Sequence, residues 1–500
     1  MFTARNISLS ALAFLLPGFA VFAQAIPEET AEQNQSTVIE ADRSRVLYIE
    51  RPFAIDAPAI KFSAAAESVD DLTATGSTTN GPATAGLEQT DSLPIDSPER
   101  AETPEPEVII NPEDDPEFIQ RTESIRQYAR SVEAIEANGG AWDQSLEQEL
   151  VSMGSLLQQQ GVHLGAIDVF ERAIHLSRIS AGLDSVEQVP TVQRLIDSYV
   201  ALGNWEQVDI YNDYLFYIQQ RAYGLDDPRI IPALESMATW HVQAFRIGYG
   251  DLLGLRLSSS QILFDAAAKM VGLHFGKKDQ RYISNLRRSA SSAYLAARNG
   301  ILMAQINRAD LRTAQQDLYQ QFNEGRISFP RSNKAGEEVM QEIILFYLEQ
   351  GDSPYDLAEA ITNLGDWFLL FGRRDAAEEQ YLAAWQFLDD RENGAELQER
   401  LFGQIVALPT FLRSVANLQP ETETAFESTG LYSDFADLVF DVSSSGVVRN
   451  IQFLTVETEE NALQLSILRR SVRTSKYRPI MREGQLVGSE QNYFRYRYWY

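Results

Sequence analysis

The feature that most restricts the fold of this chain is a spacing of small and large apolar residues that recurs along its middle. Leu150, Met153, Gly154, Leu157, Gly161, Ala166, Phe170 and Ala173 form one set. Ile361, Leu364, Gly365, Phe368, Gly372, Ala377, Tyr381 and Ala384 repeat it position for position. The apolar members fall at helical spacing, and Gly161 or Gly372 breaks each run into two segments. Small residues such as Gly154, Ala166 and Ala173 let two helix backbones approach, and Leu157 and Phe170 fill what remains. A single helix pair cannot bury such a face alone, so the pattern predicts pairs stacked on pairs.

Further copies lie between these two. Val192, Leu195, Tyr199, Gly203, Val208 and Leu215 keep the same offsets, with Gly203 42 residues after Gly161. A third copy places Ala238 and Phe245 another 42 residues on. Its second helix, around Phe264 and Ala267, is delayed by an insertion near Gly248-Tyr-Gly-Asp-Leu-Leu-Gly254. A weaker fourth copy runs from Ile283 to Leu302. Loop cues at Ala181-Gly-Leu-Asp184, Tyr223-Gly-Leu-Asp-Asp-Pro228 and Phe275-Gly-Lys277 close the first three. The pattern resembles the tetratricopeptide repeat, in the longer-helix variety found in kinesin light chains. That resemblance implies a helical repeat solenoid over residues 116–420, with a concave groove that holds a peptide or a partner's surface. Trp142, Trp205, Trp240, Trp367 and Trp385 lie in this region and are read first as core residues, and only second as groove anchors.

The flanks differ. Met1 to Arg5 carries one basic residue, Leu9 to Ala23 is apolar but interrupted by Pro17, and Val21-Phe-Ala23 and Ala23-Gln-Ala25 offer small residues to a signal peptidase. This is the order of a secretory signal peptide over residues 1–25. The apolar run is shorter than the roughly 20 residues of a spanning helix, so a mature chain without a spanning helix, exported to the periplasm, is expected. Residues 26–115 read as a mostly disordered, acidic, low-complexity linker, as in Gly76-Ser-Thr-Thr-Asn-Gly81 and Glu102-Thr-Pro-Glu-Pro-Glu107. Val46-Leu-Tyr-Ile49 is its one strand-like stretch.

Composition removes several function classes. The net charge of −29 argues against a nucleic-acid partner, which needs clustered Lys and Arg. The absence of cysteine excludes disulfides, thiolate metal sites, Cys nucleophiles and a lipidated-cysteine anchor. His163, His175, His241 and His274 show no His-x-x-x-His spacing, and Gly-x-Ser-x-Gly, Walker and dinucleotide fingerprints are missing. Asp114-Asp115 and Asp226-Asp227 read as solvated or helix-capping, and the glycines near Gly248 have no Lys and no preceding strand. No catalytic, cofactor or metal residues are assigned, and the chain is read as not an enzyme.

The last eighty residues carry a different pattern. Leu438, Phe440 and Val442 alternate with polar neighbours, Ser443-Ser-Ser-Gly446 reads as a turn, and Val447 to Val456 is a second alternating run. A helix with an apolar face (Ala462, Leu465, Leu468, Val472) and a basic one (Arg469, Arg470, Arg473) follows and ends by Tyr477-Arg-Pro479. Glu483-Gly484 is a turn, and Asn492 to Tyr500 a final strand. Phe440-Asp-Val442, Gly446, Val448, the basic helix, Tyr477-Arg-Pro479, Gly484 with Val487, and Phe494-Arg-Tyr496 together resemble the C-terminal domain of the TonB family. That resemblance implies a small α+β domain over residues 421–500 whose exposed sheet edge captures an extended peptide, in the family that of an outer-membrane receptor. Tyr493, Arg495, Arg497 and Trp499 share one face of the last strand and are the expected partner-binding residues, while Phe494, Tyr496, Tyr498 and Tyr500 share the other. An energy transducer needs a long Pro-Lys spacer, which is missing, and a retained membrane helix, which is not expected here unless the N-terminal segment is kept as an anchor. The expectation is therefore a mainly α, non-catalytic periplasmic adaptor for envelope proteins. Its rivals are a TonB-type transducer and a cell-wall-acting enzyme built on scattered carboxylates.

Overall fold

The computed structural model describes residues 48–49, 52–54, 115–306, 333–351, 353–411 and 433–499, all of them within one compact unit spanning residues 44–500. It is mainly helical, with a small strand region at its C-terminal end. Among the described residues no helix is long and apolar enough to cross a membrane.

The helices are α1 (Pro116–Gly139), α2 (Leu146–Gln159), α3 (His163–Ala181), α4 (Val189–Ala201), α5 (Trp205–Tyr223), α6 (Ile231–Arg246), α7 (Leu253–His274), α8 (Gln280–Arg298), the short α9 (Gly300–Gln305), α10 (Asn333–Gln350), α11 (Pro354–Leu370), α12 (Arg374–Asp389) and α13 (Gly394–Phe402). From α1 to α8 each packs on the next in sequence, then α8 on α10, α10 on α11, α11 on α12 and α12 on α13. The starts are set by side chains that accept otherwise orphaned backbone N–H groups: Asp115 for α1, Asn204 for α5, Asp279 for α8 and Ser353 for α11.

The same turn closes α2, α4, α6 and α11. A glycine with positive φ follows each helix (Gly161, Gly203, Gly248, Gly372), a backbone state that costs other residues energy. The next residue then donates five positions back: Val162 to Leu157, Asn204 to Tyr199, Tyr249 to Ala244 and Arg373 to Phe368, at 2.8–2.9 Å. Within the pairs, a Cβ built on Gly154 would lie 2.6 Å from the Phe170 ring, and one on Gly365 2.6 Å from the Tyr381 ring. The pair α4–α5 reverses this division of volume. Ile196 and Asn212, at the matching positions, are both buried, so the bulk sits on the first helix instead of the second.

The third copy is shifted from the expected register. Its turn glycine is Gly248, 45 residues after Gly203, and Phe245 lies three residues earlier, within α6. The reason is length: α6 has 16 residues against 13 in α4. The fourth copy falls on α8 and α9.

The C-terminal strands are β4 (Ser433–Val442), β5 (Val448–Phe453), β6 (Tyr477–Arg478), β7 (Ile480–Arg482), β8 (Gln485–Val487) and β9 (Ser489–Trp499), with α14 (Ala462–Thr474) between β5 and β6. β4 runs antiparallel to both β5 and β9. Side chains alternate across the sheet, so Ala436, Leu438, Phe440, Val442, Phe494, Tyr496 and Tyr498 are buried in one core with Leu465, Leu468 and Val472 of α14. β7 and β8 form a hairpin on Glu483 and Gly484, both at positive φ, as a tight two-residue turn demands.

Two sequence expectations change here. Within the stretch expected to be linker, β1 (Tyr48–Ile49) and β2 (Phe53–Ala54) are strands, and both pair antiparallel with β9. The terminal module is also not a separate body. β3 (Val406–Ala407) pairs with β6, Met481 joins the core of the helical region beside Tyr381 and Phe402, and the Gly446 turn presses on the Tyr477 carbonyl and Leu369. The expected boundary near residue 420 lies outside the described residues.

Candidate functional site

The last strand was expected to present a free border. In the structure that border is taken by this chain itself: Tyr48 is opposite Trp499, Ile49 opposite Tyr498, Phe53 opposite Arg495 and Ala54 opposite Phe494. The physical reason is that an extended strand with unpaired N–H and C=O groups is completed by whatever segment reaches it, and Tyr48–Ile49 and Phe53–Ala54 do. The filling is partial. Pro52, between the two short strands, has no N–H to give, and among the described residues no strand flanks β9 opposite β4 over Ser489–Tyr493.

The expected partner-binding residues sit as follows. Tyr493, Arg495 and Arg497 are half-buried on the face away from α14. Arg495 forks onto Asp437 of β4 at 2.7 and 2.8 Å, and the guanidinium of Arg497 lies 5.7 Å from the centre of the Phe435 ring. Trp499 pairs through its backbone with Tyr48 and Ser433. Of the four, Arg495 thus has a structural duty, because a cross-strand ion pair ties β4 to β9.

The junction between helices and sheet is built on a buried ion pair that the sequence did not announce. Arg478 of β6 donates its Nε to Asp366 Oδ1 at 2.9 Å and a second guanidinium N–H to Oδ2, while its Nη1 reaches the Leu401 carbonyl at 3.3 Å. Asp366 also accepts from the Tyr381 hydroxyl at 2.8 Å and from Thr410 at 3.3 Å. Burial opposes the charge on Arg478, and the Asp366 carboxylate more than offsets it, so the guanidinium stays above its ordinary value. Burial and then the Asp366 charge push the Tyr381 phenol well up, which keeps it a neutral donor.

Beside this pair lies a cavity of about 500 Å³. Arg287 of α8, Tyr347 of α10, Tyr355, Asp356, Glu359 and Asn363 of α11, Arg400 of α13 and the 404–411 segment line it, and Pro52 and Ala54 close one side. Asp356, Glu359 and Asn363 share a face of α11 by their spacing. That stripe is visible in the sequence, but polar residues at this spacing ordinarily mark a solvated face, so nothing singled it out.

A second polar cluster ties α5, α6 and α7. Arg256 forks onto Asp209 at 2.6 and 2.7 Å, and Trp240 Nε1 donates to the same carboxylate at 2.6 Å. Burial, then the Arg256 charge, hold His241 down to about 3, so the neutral ring accepts from Arg256. Of the two acidic pairs, Asp115 and Asp227 cap helical turns. Among the described residues no group of three or more His, Cys, Asp or Glu is placed to hold a metal ion.

No family model and no curated protein matches the chain. Among solved structures, similarity is found to BtubC (BKLC) from P. vanneervenii, at 14% identity over 53% of this chain and 90% of that one, with a TM-score of 0.27. A circular tandem repeat protein with novel repeat topology and enhanced subunit contact surfaces matches at 15% identity over 63% of this chain and 90% of that one, with a TM-score of 0.20. Similarity at these levels defines neither the fold nor the function.

Proposed function

We propose that this chain is a non-catalytic, exported interaction adaptor: a tetratricopeptide-type array holds one partner, and a TonB-family-like terminal sheet takes an extended segment of an envelope protein along β9. The observation that carries the reading is the pairing of Tyr48–Ile49 and Phe53–Ala54 with β9. The strand accepts an extended segment remote in sequence, by backbone hydrogen bonds, on the border where a partner strand would add. The resident segment is a weak occupant, with four ladder positions interrupted at Pro52. Each net backbone hydrogen bond contributes about 0.5–1.5 kcal/mol, so a partner strand continuous along β9 outcompetes it where its concentration suffices. The residues 48–54 then act as a placeholder that shields the edge until the partner arrives.

The test is site-specific photo-crosslinking from position 493 in intact cells, with the full chain and with a chain lacking residues 44–54. The reading expects an adduct with an envelope protein that grows when the placeholder is removed. Identical adduct patterns from both chains, or none, would refute it. Export is checked on the same material, since the purified protein is expected to begin just after Ala23 or Ala25.

A further inference from the structure

The cavity at the junction has a charge pattern that specifies a ligand class. Besides Arg478, which is paired with Asp366, the charged side chains that line it are Arg287 and Arg400 on one hand, Asp356 and Glu359 on the other. Among the described residues none of the four is in an ion pair. Arg287 instead donates to the Tyr347 hydroxyl, and Arg400 stacks over the Tyr355 ring with its guanidinium 4.1 Å from the centroid. Each arginine is thus positioned by an aromatic ring and left with hydrogen-bond donors for an anion. Asp356 and Glu359 are half-buried, and among the described residues their carboxylates take no guanidinium or ammonium. The neighbouring Arg478–Asp366 pair is self-neutralised and contributes shape only.

A polyanion such as a nucleotide is disfavoured by the two carboxylates, and a polyamine or metal ion by Arg287 and Arg400. Only a ligand carrying both signs satisfies the lining. Ala290, Met340, Ile343, Ala360 and Phe411 supply an apolar patch in the same cavity. Its volume of about 500 Å³ falls within the roughly 300–1,000 Å³ of small-ligand pockets. From these facts we infer that the junction cavity is a binding site for a small zwitterion of the amino-acid type, its carboxylate on Arg287 and Arg400, its ammonium on Asp356 and Glu359, and an apolar side chain on the patch between them. The inference does not depend on the strand-capture reading: Pro52 and Ala54 close one side of the cavity, but the four charged groups it uses come from α8, α11 and α13.

The test is calorimetric titration of the full chain with free leucine, phenylalanine and methionine, and with a panel of Ala-X-Ala tripeptides with free termini. Each of these is compared with its N-acetylated and its C-amidated form. At least one free zwitterion is expected to bind, with either blocked form about tenfold weaker. Tight members among the free amino acids identify a single-residue ligand, and tight members only among the tripeptides identify a short peptide. Arg400→Gln and Glu359→Gln, both at half-buried or exposed positions that do not hold the core together, are expected to weaken the zwitterion about tenfold, with unchanged circular dichroism. Arg400→Gln should in addition abolish the discrimination against the amidated form, and Glu359→Gln that against the acetylated form. Absence of any binder in both panels, or equal affinity for free and blocked forms, would overturn the assignment.

Discussion

Arg478 and Asp366 have almost no solvent-exposed side chain, at 4% and 0%. Removing one partner leaves the other charge buried without compensation, a change that typically costs about 3–5 kcal/mol. Arg478→Met is therefore expected to destabilise the fold by about that amount in urea titration, and the double change Asp366→Leu with Arg478→Met by clearly less than the sum of the single changes. Gly365 makes the opposite kind of contact. With the Tyr381 ring 2.6 Å from any added Cβ, and the Ala377 carbonyl at 3.2 Å, Gly365→Leu has nowhere to place its side chain. A loss of roughly 1–3 kcal/mol or more, read as a fall in melting temperature, is expected. A third residue sets a pH response. Burial, partly countered by the Ser289 hydroxyl and Lys269, raises Asp265 to about 6. A carboxyl with a raised folded value binds its proton more tightly in the folded chain, so its contribution to stability grows as pH falls from about 7 towards 4. Asp265→Asn is expected to be more stable than the parent at pH 7.5, with the gap closing by pH 5 in thermal melts at the two values.

At the scale of elements, the helix pairs were legible because their grammar is local. Gly154 with Phe170, and Gly365 with Tyr381, sit at fixed offsets, and the glycine turns follow from positive φ. The third copy slipped because a spacing rule cannot see an extra turn of helix: Ala238 and Phe245 fit a period that α6 exceeds. The strands of the terminal module were legible by alternation, yet β7 and β8 were too short to stand out beyond their turn at Glu483-Gly484. Val46-Leu-Tyr-Ile49 stood out as strand-like, but Phe53–Ala54 and the pairing of both stretches with β9 did not, for a further reason. Four ladder positions carry little sequence signal, and what makes them strands is β9, hundreds of residues away. Hydrogen exchange offers a direct check of that pairing. Deleting residues 44–54 is expected to leave the β4–β9 ladder protected while exchange speeds up at those β9 amides that face β1 and β2. Unchanged exchange across the whole of β9 would show that the segment does not cover the strand.

Over the whole molecule, helices and sheet form one body from residue 44 to 500. Its seam is the Arg478–Asp366 pair, the β3–β6 bridge and Met481. The periodicities of 3.6 and 2 by themselves determined that helix pairs would fill the middle and a small sheet the end, because each depends only on neighbours a few residues apart. The tertiary structure alone decided that the border of β9 is partly occupied, that Arg495 is spent on Asp437, and that Arg287, Asp356, Glu359 and Arg400 meet around one cavity. Those outcomes come from contacts between residues tens to hundreds of positions apart, and long-range pairing leaves no period in the chain that makes it.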